Sequence, residues 1–299
     1  MTIKNQNLAG KRIGIFGKGG AGKSTVVALM ATALRKQGYE VCVLDADSTN
    51  LGLPQALGII DPPQTLLEYY GGMVFSGGKV TCPVDDPTPL EDAEISLAGL
   101  PKKYYARNED GILMLRAGKI GAQGPGAGCD GPIAKIARDV VIAAEDQLVT
   151  LIDFKAGFED SARGVMTNLH WAIVVVDPTV ASVAIAANLR EMVAQIQQDI
   201  LPATAHLESP EMIALANRIF TDASIEAVFV VLNKIPNLEV ESYLRDQLAN
   251  HALEPIGVVY EDASIPLAWL KGQPIYSQSA LSDMQIVVQK LEDFADGCS

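Results

Sequence analysis

The residue pattern with the clearest chemistry lies near the start of the chain and is typical of a phosphate-binding loop. It reads Gly17-Lys18-Gly19-Gly20-Ala21-Gly22-Lys23-Ser24-Thr25, after the apolar run 13–16 and before a helical pattern. Glycines let successive backbone N–H groups point at one anion, and the start of a helix adds about half a positive charge. In such a loop Lys23 reaches the β- and γ-phosphates of a nucleotide, and the Ser24 hydroxyl binds Mg²⁺.

Carboxylates at the ends of two other apolar runs extend this chemistry. Asp45 and Asp47 follow the run 41–44, and Asp153 follows the run 148–152. Two carboxylates spaced i, i+2 beside a phosphate loop suit Mg²⁺ ligation, partly through water, and activation of a water molecule. Asp153 is the expected second Mg²⁺ contact of such a site. Capping of the next element is the alternative interpretation of Asp45 and Asp47.

The elements that must position these residues alternate along the chain. Seven apolar, β-branched runs predict strands buried on both faces. They are residues 12–16, 41–44, 112–115, 148–152, 172–176, 228–232 and 256–259, and helical patterns cover 24–37, 134–144, 180–198 and 240–250. This alternation predicts an α/β fold with a doubly wound, mostly parallel sheet flanked by helices. Ligands then bind at the carboxyl ends of the strands.

The expected domain organisation is a single domain over residues 1–299. Residues 62–110 break the rhythm with Pro-Pro, two Gly-Gly pairs and an acidic Pro-Val-Asp-Asp-Pro stretch. This composition predicts a loop-rich insertion. Long insertions of this kind are usually functional or mobile.

Composition narrows the partners and the compartment. The formal net charge of −13 disfavours nucleic acid and anionic membranes as partners. The first residues lack the apolar core of a signal peptide, and no apolar run approaches a membrane span. The cysteines are Cys42, Cys82, Cys129 and Cys298, without a Cys-x-x-Cys pair. Together these features predict a cytoplasmic protein with free thiols.

Lys18 adds a second lysine at the start of the phosphate loop. The run Lys-Gly-Gly-x-Gly-Lys-Ser-Thr resembles the deviant Walker A loop of the MinD/ParA, nitrogenase-iron-protein and CooC ATPases. The resemblance implies the P-loop NTPase fold of the SIMIBI class, ATP or ADP with Mg²⁺, and an ATP-dependent homodimer in which Lys18 crosses to the partner's nucleotide. It also implies catalytic roles for Lys18, Lys23 and Asp47, the last positioning the attacking water. A surface lysine without such a role is the alternative for Lys18.

The stretch after Asp153 resembles the second switch of the CooC family. Ala156, Gly157, Glu159, Arg163 and Gly164 match that pattern, whereas Lys155 stands where the family has Glu. The segments 100–104, 110–114, 118–120 and 126–129 are also similar. Residues 231–234 resemble the family's base-recognition strand, which implies that the Asn233 amide reads the adenine edge.

Cys129 stands where CooC-type proteins carry Cys-x-Cys, so that two protomers supply four thiolates to a metal. This chain reads Cys129-Asp130-Gly131 and lacks the second thiol. Two thiolates are a poor complement for nickel or zinc at a dimer interface. Asp130 or a client protein could complete the site, and an unligated cysteine is at least as good an interpretation.

Three functions remain open. The first is a CooC-like ATPase that assists maturation of, or nickel insertion into, a client metalloenzyme such as carbon monoxide dehydrogenase. The second is a ParA/MinD-type ATPase that positions cargo on DNA or membrane, and the third is an iron–sulfur reductase like the nitrogenase iron protein. The acidic residues 289–299 are a poor membrane anchor, and a reductase needs two cluster cysteines. The second-switch match and the acidic surface favour the first function.

Overall fold

The computed structural model describes residues 6–74, 77–119, 129–143, 147–157, 164–205 and 207–297. The strands are β1 (Arg12–Gly17), β2 (Val41–Ala46), β3 (Glu94–Ile95), β4 (Ala106–Arg107), β5 (Leu113–Arg116), β6 (Val141–Ile142), β7 (Val149–Phe154), β8 (Trp171–Val176), β9 (Ala227–Ile235) and β10 (Pro255–Tyr260). The helices are α1 (Lys23–Lys36), α2 (Leu53–Ala56), α3 (Leu66–Tyr69), α4 (Gly131–Asp139), α5 (Val180–Gln197), α6 (Pro210–Thr221), α7 (Leu238–Ala249), α8 (Ser264–Lys271) and α9 (Gln278–Gly297).

An eight-stranded sheet forms the centre of the protein. Its strand order is β10-β9-β8-β1-β7-β2-β5-β4. Every neighbouring pair is parallel except β4 and β5. The predicted mostly parallel, doubly wound sheet is therefore confirmed, and each of the seven predicted strands is present. Strands β2, β5 and β7 lie on one side of β1, and strands β8, β9 and β10 lie on its other side. The strand order therefore reverses at β1, and a ligand crevice forms at such a point.

Helices cover both faces of this sheet, which is why the central strands are continuous apolar runs. On one face, Phe16 stacks on Phe154 with their ring centroids 4.7 Å apart, beneath side chains of α4 and α5. On the other face α1 and α9 pack together over the sheet. There Trp171 makes edge-to-face contacts with Phe229 and Phe294, at 5.4 and 5.7 Å between centroids.

The predicted helix over 134–144 differs from the observed one. Helix α4 begins at Gly131 and ends at Asp139, because the β-branched residues Val141 and Ile142 form β6 instead. Strand β6 pairs in parallel with β3, within the segment 62–110. That segment also contributes β4 to the edge of the main sheet, so it is tied to the core at two places.

Membrane-spanning helices are absent from the part of the chain that the structure describes.

Arg12 joins the phosphate-loop strand to the far end of α4. Its guanidinium is buried and donates hydrogen bonds to the carbonyls of Asn168 (2.8 Å), Val140 (2.6 Å) and Ala137 (3.0 Å). Burial lowers the pKa of Arg12 to about 10. The side chain satisfies carbonyls that the end of α4 leaves without an intrahelical partner.

Substitution of Arg12 by Met should lower the free energy of unfolding by about 3 kcal/mol or more, because buried carbonyls lose charged donors. Chemical denaturation measures this change. The matched control is Arg218→Met, which removes an exposed arginine paired with Asp222 at 3.3 Å and should cost less than about 0.5 kcal/mol. Equal stability of the two variants would contradict the assigned role.

Candidate nucleotide site

The phosphate loop connects the end of β1 to the start of α1 and needs glycine at two positions for steric reasons. Gly22 has a φ of 93°, and a Cβ there would lie 2.2 Å from the Asn233 side-chain nitrogen. Gly17 has a φ of 144°, and a Cβ there would lie 2.6 Å from the Val175 carbonyl oxygen. Side chains at these positions would force the loop away from β8 and β9. The glycine pattern therefore keeps the loop against the sheet edge.

Two residues at the end of β9 hold this loop by its carbonyls. The buried Asn233 amide donates to the Ala21 carbonyl at 2.7 Å. The Lys234 ammonium donates to the Gly20 carbonyl at 2.8 Å, from a backbone with φ of 60°. With these carbonyls turned toward β9, Asn233 has a defined role in loop shape. Its recognition of adenine stays a prediction.

Lys23 is the buried cation of the loop. Its ammonium donates to the Lys18 carbonyl at 3.3 Å. Burial lowers the pKa of Lys23, whereas the charges of Asp153 and Asp47 oppose that shift. Within the described residues this long hydrogen bond uses one of the three N–H donors of the ammonium, so the others are available to bind an anionic ligand.

Ser24 and Asp153 form the part of the site that suits a divalent cation. The Ser24 hydroxyl donates to Asp153 Oδ2 at 2.5 Å and accepts from the Asn50 amide at 2.7 Å. The Asp153 carboxyl is fully buried, and its Oδ1 has no hydrogen-bond partner among the described residues. Burial raises the pKa of Asp153 to about 7. A buried oxygen without a partner beside a hydroxyl fits Mg²⁺, which prefers oxygen ligands.

Asp45 and Asp47 end up in different surroundings although they are two residues apart. Asp45 is fully buried, and both of its carboxylate oxygens lie 2.7 Å from the Lys119 ammonium. Burial raises the pKa of Asp45 to about 6, and Lys119 opposes this shift. Asp47 is half-buried, and its Oδ1 accepts from both N–H and hydroxyl of Thr49 and from the Asn50 N–H. The magnesium roles of both carboxylates stay predictions.

Lys18 is held within its own chain. Its ammonium lies 3.2 Å from Asp177 Oδ2 and 3.3 Å from the Thr179 hydroxyl, at the loop that follows β8. Asp177 is in turn hydrogen-bonded by the hydroxyls of Thr179 and Ser182. The predicted contact of Lys18 with a partner subunit would require it to leave this carboxylate.

Lys155, the departure from the resembled family, forms an ion pair with Asp130. The Ser48 hydroxyl donates to the other oxygen of the same carboxylate. Asp130 therefore connects the loop after β2, the loop after β7 and the start of α4. Glu159 and Arg163 of the same motif lie outside the described residues.

Cys129 lies next to Asp130, and its sulfur accepts the Gly131 N–H at 3.3 Å. A Cβ on Gly131 would lie 2.4 Å from the sulfur of Cys82. The Cys82 thiol thus fills the space where a cysteine at position 131 would begin. Among the described residues, no three His, Cys, Asp or Glu side chains form a metal-binding group. The run 120–128 before Cys129 lies outside the described residues.

Sequence reasoning did not assign roles to three residues that shape this site. They are Lys119, Lys234 and Trp269, whose indole N–H donates to the Thr25 hydroxyl at 2.9 Å. Each acts through a contact between segments far apart in the chain. A motif read along the sequence carries no signal for such contacts.

Comparison with known proteins shows similarity to nucleotide-binding proteins, as a phosphate loop at the sheet edge would indicate. An uncharacterized ATP-binding protein of Methanocaldococcus jannaschii is 35% identical over 184 residues, which cover 60% of this chain and 72% of that protein. The carbon monoxide dehydrogenase accessory protein CooC of Rhodospirillum rubrum is 27% identical over 180 residues, covering 60% of this chain and 67% of that protein.

A solved structure shares the fold over nearly the whole chain. The septum site-determining protein MinD of Pyrococcus horikoshii, complexed with Mg-ADP, matches with a TM-score of 0.61 and 16% identity, covering 95% of this chain and 97% of that one. The model of the CobQ/CobB/MinD/ParA nucleotide binding domain matches residues 15–275, from β1 to the segment before α9. A phosphate loop on a mostly parallel sheet and a family match of this extent lead to one conclusion: the chain belongs to the CobQ/CobB/MinD/ParA family of nucleotide-binding P-loop proteins.

Proposed function

We propose that this protein is an ATP-hydrolysing switch of the CooC type, which closes into a homodimer and assists metal insertion into a client metalloenzyme. The observation that carries the ATPase part is the Ser24–Asp153 pair. Asp153 has a fully buried carboxylate oxygen without a hydrogen-bond partner among the described residues, and such an oxygen calls for a cation. Similarity to CooC supports the maturation part.

The chain's own residues supply the steps of hydrolysis. The backbone N–H groups of the loop and the Lys23 ammonium bind the triphosphate and offset its charge. Ser24, and Asp153 through water, would hold Mg²⁺, which neutralises charge on the phosphate oxygens. Asp47 orients a water molecule whose oxygen attacks the γ-phosphorus. The bond between the γ-phosphorus and the oxygen that bridges it to the β-phosphate breaks, and that oxygen stays on ADP. One proton of the water stays on the phosphate, and the other is released to solvent. The products are ADP and inorganic phosphate.

Asp47→Asn should lower the ATP turnover rate by roughly 10²-fold, the scale of a lost general base or water-positioning contact. ADP affinity should stay within about threefold, since the phosphate loop is unchanged. Phosphate release assays and calorimetry measure the two quantities. The control is Asp61→Asn, an exposed carboxylate outside the site, which should behave as wild type. Normal turnover by the Asp47 variant would exclude this role.

Dimer closure is the second part of the proposal. Asp177 competes with any partner subunit for Lys18, since the two lie 3.2 Å apart within one chain. ATP, whose γ-phosphate adds negative charge, would draw Lys18 away from Asp177 more strongly than ADP does.

In light scattering with a non-hydrolysable ATP analogue, wild type should dimerise and Lys18→Ala should not. Asp177→Asn should dimerise at a lower analogue concentration, because a neutral amide holds the lysine less tightly. With ADP, all three should remain monomeric. A Lys18→Ala variant that dimerises as wild type does would refute the interface role of Lys18.

The metal enters the proposal as cargo, carried by thiolates near the dimer axis. Cys129 alone gives two thiolates per dimer, too few for nickel or zinc held by sulfur. The Cys82 sulfur also lies beside Gly131, and a second thiol from each protomer would bring the dimer to four. The ligands must be deprotonated, so uptake should release protons.

Anaerobic titration with Zn²⁺ and Ni²⁺ tests this cargo site. Wild type with the ATP analogue should bind one ion per dimer, and Cys129→Ser and Cys82→Ser should each bind at least about tenfold more weakly. Cys42→Ala is the control, because that thiol is buried in the core and burial raises its pKa to about 12. Equal binding by wild type and both serine variants, or none by wild type, would overturn the cargo site and leave the ATPase proposal standing.

A further inference from the structure

Lys119 lies just after β5 and reaches across to the loop that follows β2. Its ammonium donates to Asp45 Oδ1 at 2.7 Å, to the Asn50 carbonyl at 2.6 Å and to the Asp47 carbonyl. An ammonium has three N–H donors, and these three acceptors use all of them. The lysine is therefore fully committed to one conformation of residues 47–50.

The contacts of this loop form a continuous chain to the phosphate site. Lys119 fixes the Asn50 carbonyl, and the Asn50 side-chain amide donates to the Ser24 hydroxyl at 2.7 Å. The same lysine fixes the Asp47 carbonyl, while the Asp47 side chain accepts N–H groups of its own loop. One cation thus sets the backbone that carries Asp47 and the amide that orients Ser24.

Charge and burial explain why the lysine stays there. The Asp45 carboxyl is fully buried at the end of β2, and only 11% of the Lys119 side chain is exposed. A buried carboxylate without a counter-charge is strongly destabilising, so Asp45 keeps the ammonium in place. The remaining two N–H groups are then directed at the loop carbonyls.

We propose that Lys119 is a positioning residue for ATP hydrolysis, which holds residues 47–50 in the conformation that places Asp47 and Asn50 beside the phosphate loop. Asp45 acts through Lys119 as its anchor. This inference rests on the proposed ATPase activity for its kinetic consequence. Its structural consequence, an ordered loop before any nucleotide binds, does not.

The alternative is that Lys119 only neutralises Asp45. The double variant Asp45→Asn/Lys119→Met separates the two, because it removes the buried charge pair without leaving either charge unpaired. If neutralisation were the whole role, this variant would keep its loop order without nucleotide. Asp45 is also a predicted Mg²⁺ contact, so the turnover rate is compared with that of Lys119→Arg, which keeps this carboxylate.

Two measurements on the double variant test the proposal. Amide hydrogen exchange of residues 48–52 without nucleotide should become at least about tenfold faster, since the loop loses charge-assisted hydrogen bonds. The turnover rate should fall by roughly 10–100-fold with KM and ADP affinity within about threefold, as expected for misplacement rather than lost binding. Lys102→Met, which changes an exposed lysine at the start of the short 3₁₀ helix Lys102–Tyr104, is the matched control.

The outcomes separate the two claims. Wild-type exchange and turnover in the double variant would overturn the positioning role of Lys119. If the wild-type protein itself fails to hydrolyse ATP, the ATPase proposal falls, and the exchange measurement still decides whether Lys119 orders the loop. Should thermal unfolding show that the double variant is not folded, Lys119→Arg takes its place. A guanidinium is larger and directs its N–H groups in one plane, whereas the three N–H groups of an ammonium point to different sides. We therefore expect the same changes in exchange and turnover.

Discussion

Buried negative charge at the carboxyl edge of the sheet is the constraint around which the rest of this structure is arranged. Asp45 and Asp153 end neighbouring parallel strands in register, and both are fully inaccessible to water. A buried carboxylate must be paired, protonated or bound to a metal. Asp45 is paired with Lys119, whereas Asp153 has a hydroxyl on one oxygen and no described partner on the other. The two carboxylates therefore have different roles. Asp45 anchors a loop through Lys119, whereas the arrangement of Asp153 fits a cation.

The fold explains why these groups meet. Parallel strands bring their carboxyl ends to one edge, and the reversal of strand order around β1 opens a crevice there. Asn233 and Lys234 at the end of β9 donate hydrogen bonds to two carbonyls of the phosphate loop and so fix its conformation. Within the loop itself, the Ala21 N–H donates to the Lys18 carbonyl at 3.2 Å. Loop conformation, and hence phosphate affinity, depends on side chains 212 and 214 positions away from the loop residues that they hold.

Much of this could be predicted from the sequence, since the signals were local. Strands buried on both faces are continuous apolar runs, and the glycine loop between β1 and α1 needs only adjacent residues. The end of α4 differs from the prediction because the helical pattern over 134–144 includes Val141 and Ile142, whereas their pairing with β3 holds these two residues in a β conformation. In the sequence Lys119 stands out only as part of the similar segment 118–120, because its role consists of contacts with residues more than 65 positions away. Two of its acceptors are the backbone carbonyls of Asp47 and Asn50, which every residue type carries and which a sequence motif therefore does not reveal.

The pairing of Lys155 with Asp130 gives the departure from the resembled family a physical meaning. Replacing a carboxylate by an ammonium in a half-buried place is tolerated when an opposite charge stands beside it, and Asp130 provides that charge. Asp130 also accepts the Ser48 hydroxyl and precedes the first residue of α4, so one carboxylate connects both loops that flank the proposed hydrolysis site to the segment of Cys129. In the proposed cycle, a shift of either loop on loss of the γ-phosphate would change the contacts of Asp130. Because Cys129 is its direct neighbour in the chain, Asp130 is the physical link between the proposed hydrolysis site and the cysteine.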